Sequence, residues 1–130
     1  MSAPAQPYSG ALEAVDRVLN REPEADEVLR QTVDILHERL DRYSWVGIYF
    51  RESEELILGP SAGRRDEGSR ELDISIVYEE RPIGVLRVAT HAPAGFDDDD
   101  ERFLKRIALL VSAHCLVGWD TGGLPWSDAS

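Results

Sequence analysis

Cysteine is nearly missing from this chain: Cys115 is the only one in 130 residues. A single cysteine excludes any internal disulfide. The three histidines, His37, His91 and His114, stand with Cys115 at spacings that match no metal-ligand pattern, and no metal or other cofactor is expected. Basic residues are scarce. Fourteen Lys and Arg face 25 Asp and Glu, a net charge of −11, which removes the cationic footprint that nucleic acid or an anionic membrane requires of a partner. No apolar run reaches the length of a signal peptide or membrane span. These absences imply a cytoplasmic protein. Internal repeats are missing too, and the length suits one domain with one full core.

What is present is organised around Ser44-Trp45-Val46-Gly47-Ile48-Tyr49-Phe50. Aromatic and β-branched residues dominate it, the composition of a buried strand. Before it, residues 1–10 read as a flexible start with two prolines. Leu12, Val15, Val18 and Leu19 then mark an amphipathic helix from Ala11. Pro23 suits the first turn of a second helix running to about Arg42, with Val28, Leu29, Thr32, Val33, Leu36 and Leu40 as its inner stripe. After the first strand come a polar turn at 52–54, a strand over 55–59 and a Gly- and Arg-rich loop over 59–70. Residues 71–78 alternate, with Leu72, Ile74, Ile76 and Tyr78 on one face, and form a hairpin with 82–90 through a three-residue connection at 79–81. Asp97–Asp100 lead into a last helix with the stripe Phe103, Leu104, Ile107, Ala108, Leu110, Val111 and Cys115. Residues 118–130 form a tail whose packing residues are Trp119, Leu124 and Trp126.

Three segments, taken in order, resemble the GAF domain. They are Trp45–Phe50 followed by Leu56–Pro60, then Glu71–Val88 centred on Pro82-Ile83-Gly84-Val85-Leu86, then Phe96–Asp100 entering an apolar helix. The resemblance covers residues 11–117 and is greatest to the free methionine-(R)-sulfoxide reductase branch. It implies an α+β fold: an antiparallel sheet of about four strands with the N- and C-terminal helices packed on one face, in the spatial order second, first, fourth, third. It also implies a substrate site on one sheet face under a long, cysteine-bearing lid. Here that connection is short and holds no cysteine. Trp45 and Tyr49 match aromatics of the family's pocket and Glu71 a substrate-contacting glutamate. Arg87 and Ala89 replace two aspartates expected on the last strand.

Strand parity gives the same division from the residues alone. Trp45, Tyr49, Glu71, Asp73, Ser75 and Arg87 share a mixed face, whereas Val46, Ile48, Phe50, Leu72, Ile74, Ile76, Leu86 and Val88 share an apolar face that must pack on helices. The hairpin sets Asp73 opposite Arg87. Trp45, Tyr49, Glu71, Asp73 and Arg87 are therefore the candidate ligand-binding residues. Set against this is a plain solvated sheet face, which the missing lid favours by leaving little concavity. The aspartate run could be a cation site, but helix capping accounts for it better, and consecutive helical aspartates lack calcium-loop geometry. Cys115 in an apolar stripe acts as a small hydrophobe rather than a redox thiol. A phosphate cradle at Gly59–Gly68 with Arg64 and Arg65 lacks the phosphate-loop lysine and its strand–loop–helix setting.

No catalytic residue is therefore assigned. The functional expectation is a minimal non-catalytic GAF-like module for self-association, partner binding or small-molecule sensing in signalling. The partners implied are a second copy, meeting through the terminal helices, and a small molecule or signalling protein. The alternative is a degenerate enzyme of the sulfoxide reductase type, which would need a thiolate nucleophile.

Overall fold

The structure is a computed structural model that describes residues 6–117. The tail read as 118–130, with Trp119, Leu124 and Trp126, lies outside the described residues. Two helices, α1 (Gln6–Arg21) and α2 (Ala25–Arg39), lead into four strands: β1 (Trp45–Glu52), β2 (Glu55–Gly63), β3 (Arg70–Tyr78) and β4 (Arg81–Thr90). The last helix, α3 (Asp98–Val111), continues as a 3-10 segment over Ser112–Val117. All strand pairs are antiparallel and the order across the sheet is β2-β1-β4-β3. This is the α+β arrangement expected, with helices on one sheet face.

The apolar parity face builds the core. Val46, Ile48, Phe50, Ile74, Ile76, Leu86 and Val88 pack with Val15 of α1, Leu29, Val33 and Leu36 of α2, and Phe103, Leu104 and Ile107 of α3. Cys115 is buried in this helix-side core. Leu12 and Leu19 pack partly against the same core, so the inner stripe of α1 is used within the chain.

Helix α1 begins at Gln6, five residues before the periodicity starts at Ala11. The cause is tertiary: the Tyr8 ring packs 4.8 Å from that of Phe103, centroid to centroid, and its hydroxyl reaches Asp100. Helix α2 starts at Ala25 with Glu24 as its N-cap, so Pro23 precedes the helix rather than opening its first turn, and the helix ends at Arg39. Strand β2 runs four residues further than the apolar run suggested, through Pro60. That is open to it because β2 is an edge strand, where a missing N–H need not break a ladder. The connection to β3 shrinks to 64–69.

The β3–β4 turn differs from the sequence reading in a way that cancels. It holds two residues, Glu79 and Glu80, both in the left-handed region (φ 49° and 69°). Two-residue turns of this hand match strand twist. A register shift between Ile76 and Val77 adds back the residue a three-residue turn would have supplied, and Asp73 still faces Arg87.

Candidate functional site

On the outer sheet face, Trp45 and Tyr49 of β1 form a small cluster with Ala89 and Val85 of β4, separate from the main core. The Trp45 ring lies over Gly47. A Cβ there would sit 2.3 Å from Trp45 Cη2, so only glycine allows the indole down onto the sheet. Trp45 and Tyr49 are both buried, although the β2–β3 connection, where a long lid was expected from the resemblance, is only 64–69. Two arginines cover them instead.

Arg87 is the first. Its Nε and Nη2 donate to Asp73 Oδ1 (2.6 Å) and Oδ2 (2.9 Å), a bidentate cross-strand pair, and its Cζ lies 4.7 Å from the Tyr49 ring centroid. The fork-on-carboxylate match is the geometry in which arginine differs most from lysine. The hydrogen bonds to Asp73 raise the Arg87 pKa above its usual range despite partial burial.

Arg65, from the short β2–β3 loop, is the second. Its Nε donates to Glu71 Oε2 (2.8 Å), its Nη1 donates to Tyr49 Oη (2.8 Å), and its Cζ lies 4.8 Å from the Trp45 ring centroid. The hydrogen bond to Glu71 raises its pKa. The root of the loop is fixed: Arg64 N–H donates to the Ser44 carbonyl at 2.9 Å, and Gly63 has φ +95° with its Cβ position only 2.2 Å from that same oxygen. His91 Nε2 lies 3.3 Å from Asp66 on the loop's other flank.

All five sequence-derived site residues, Trp45, Tyr49, Glu71, Asp73 and Arg87, thus share one face. Arg65 was missed as a member of it. The sequence placed this residue in a possible phosphate cradle, whereas its guanidinium is engaged by a carboxylate and a phenol.

A second polar cluster sits at the start of α3. Asp100 is fully buried. Its Oδ1 accepts hydrogen bonds from Tyr43 (2.7 Å), Tyr8 (2.9 Å) and Arg42, and Arg42 Nη2 also donates to Tyr8 Oη at 2.9 Å. The Asp97 N–H donates to Asp100 Oδ2 (3.0 Å) and the Asp100 N–H to Asp97 Oδ1 (2.9 Å), a reciprocal capping box. Burial works against ionisation of Asp100, but the donors from Tyr43, the Asp97 backbone, Tyr8 and Arg42 outweigh it and hold the carboxyl below its ordinary value. Burial first, and then the bond to Asp100, push the Tyr8 hydroxyl up to about 12 and that of Tyr43 well above its ordinary value. The aspartate run is therefore a cap and a buried anchor, and no group of three metal-ligating side chains occurs among the described residues. Asp100 could have been found in the sequence, because it stands three, four and seven residues before Phe103, Leu104 and Ile107, on the buried stripe.

Cys115 lies on the far side of the sheet from Trp45, fully buried, and burial pushes its thiol up to about 12. A thiol so raised is protonated at neutral pH and is no nucleophile.

No family model and no curated protein matches the sequence. Solved structures do match the fold. A free methionine-R-sulfoxide reductase from Neisseria meningitidis, in complex with its substrate, aligns with a TM-score of 0.76 at 22% identity over 83% of this chain and 87% of that one. A protein proposed as a GAF sensor, from Burkholderia vietnamiensis, gives 0.76 at 22% over 85% and 88%. The GAF domain of a phosphoenolpyruvate-protein phosphotransferase from Coxiella burnetii gives 0.74 at 14% over 85% and 93%. The chain has the GAF fold.

Proposed function

We propose that this GAF-fold chain is a non-catalytic module that acts in signalling by binding, through its outer sheet face and through self-association. The observation that carries the reading is the separation of its only thiol from the aromatic face. Cys115 is protonated and enclosed in the helix-side core, and Trp45 and Tyr49 are closed over by Arg65 and Arg87. Reduction of a sulfoxide requires a thiolate that can reach sulfur. A reductase reading has no such group in this chain. Supplying free methionine-(R)-sulfoxide with a thioredoxin reducing system should give no turnover above that of Cys115→Ser. Turnover abolished by Cys115→Ser would overturn the proposal and restore the enzyme reading.

Self-association through the terminal helices belongs to the same proposal. Leu109 of α3 is 71% exposed, beside an open groove lined by Val77 and Ser75 of β3 and Lys105 and Glu101 of α3. An exposed leucine at an open groove of mixed lining, with Ile74, Val77 and Ala108 as its other apolar members, at a sheet edge suits an isologous contact with a second copy. Light scattering at micromolar concentration should give a dimer mass that falls to the monomer on Leu109→Glu. A monomer mass for the unsubstituted protein removes this part of the proposal.

A further inference from the structure

We propose that Trp45, Tyr49 and Glu71 form a recognition site for a guanidinium group, which the protein keeps filled with its own Arg65, so that a guanidinium-bearing ligand binds by displacing the 64–69 loop. The inference rests on the binding role proposed above and names the ligand class of that face. Arg65 meets three complementary surfaces at once: the Trp45 ring face, the Glu71 carboxylate through Nε, and the Tyr49 hydroxyl through Nη1. An aromatic face, an anionic acceptor and a neutral acceptor set around one planar cation are what guanidinium recognition consists of.

Charge accounting selects the class. On this face Arg87 is held by Asp73 and Arg65 by Glu71. A cationic ligand replaces the charge of Arg65 one for one. A neutral or anionic ligand would expel Arg65 and leave the Glu71 carboxylate, 34% exposed, with only water and the longer 3.9 Å contact to Arg87 Nε in place of the 2.8 Å pair. Arg87 compensates Glu71 only in part: its fork is committed to Asp73, and its Nε reaches Glu71 Oε1 at 3.9 Å against 2.8 Å for Arg65.

The position of Arg65 makes exchange feasible. Its side chain is 39% exposed, so it is not enclosed by the fold. The loop is short and fixed at its root, which makes Arg65 a tethered competitor. A tether of this kind presents its group at an effective concentration in the millimolar range. Where that exceeds the intrinsic dissociation constant of the Arg65 group for this site about tenfold, apparent ligand binding weakens about tenfold.

The test titrates L-arginine, its neutral isostere L-citrulline, and the blocked peptide acetyl-Gly-Arg-Gly-amide into the full chain, Arg65→Ser and Arg65→Ser/Glu71→Gln by calorimetry. Circular dichroism checks that each variant is folded. L-Arginine or the peptide should bind Arg65→Ser about tenfold more tightly than the unsubstituted chain, citrulline should not bind, and the double variant should lose binding. In the unsubstituted chain, saturating ligand should speed amide hydrogen exchange across 64–69. Tighter binding of the free amino acid assigns a small-molecule source; tighter binding of the peptide assigns an arginine on a partner protein. Absence of saturable binding of both to Arg65→Ser overturns the proposal, as does citrulline binding as tightly as arginine or retention of binding in the double variant. None of these outcomes bears on sulfoxide turnover, so failure here and failure of the non-catalytic reading are separately visible.

Discussion

Replacing Asp100 by Asn keeps its shape and removes its charge, and the consequence can be worked from the contacts. Oδ1 accepts from Tyr8, Tyr43 and Arg42. A hydrogen bond to a charged group contributes about 1.5–3 kcal/mol and a neutral one about 0.5–1.5, so each contact weakens by about 1 kcal/mol when the carboxylate becomes an amide. Arg42 is 40% exposed, and water screens much of its share, leaving about 2 kcal/mol from the two phenols and the residue of the ion pair. The other oxygen accepts the Asp97 N–H. With its carbonyl turned to the tyrosines, the amide would point an NH2 at that N–H, and losing this half of the cap costs about 1 kcal/mol more. Asp100→Asn should therefore lower stability by about 3 kcal/mol at neutral pH, a fall of about 10 °C in Tm for a domain of this size.

The pH dependence follows from the direction of the shift. The folded pKa of Asp100 lies below its ordinary 3.8. Its stabilisation is then complete above the unfolded value and fades as pH falls through 3.8 toward the folded pKa. The gap between parent and variant should be full at pH 7 and shrink in acid. Urea denaturation followed by circular dichroism at pH 7 and pH 3 measures both. A gap under about 0.5 kcal/mol at pH 7, the size of an ordinary surface change, or an equal gap at both pH values, would refute the account of a buried, ionised anchor.

Gly47→Ala should destabilise by about 1–3 kcal/mol, because its Cβ must drive the Trp45 indole off the sheet; an unchanged urea midpoint would contradict that packing. The Arg87–Asp73 pair should give a coupling of about 0.2–1 kcal/mol in a double-mutant cycle with alanine, smaller at high salt, and zero coupling would place the pair apart in solution. Cys115 should resist aromatic disulfide reagents at neutral pH while the protein is folded and react once in urea; rapid labelling of the native protein would mean that the thiol is neither buried nor raised.

Local periodicity settled much of this molecule from the sequence alone. Alternation with period two assigned the parity residues of β1, β3 and β4 to their faces, because successive Cβ atoms on a pleated strand point oppositely. The same rule placed Trp45, Tyr49, Glu71, Asp73 and Arg87 together and set Asp73 against Arg87. The Asp97 cap was legible for a similar reason, since helix N-termini leave N–H groups that a side chain within three residues satisfies. Tertiary structure decided where long side chains end. Tyr8, the adjacent Arg42 and Tyr43, and Asp100 are drawn from three places in the chain and meet because α1, the connection after α2 and the start of α3 converge on one buried carboxylate; no spacing encodes that meeting. Arg65 and Glu71 are six residues apart, but whether the guanidinium turned to solvent, to an anion or over Trp45 depended on β2 continuing past Pro60 to Gly63. Strand extent on an edge is set by its neighbour's ladder, and the destination of a flexible arginine by the anion and ring that the folded sheet presents to it.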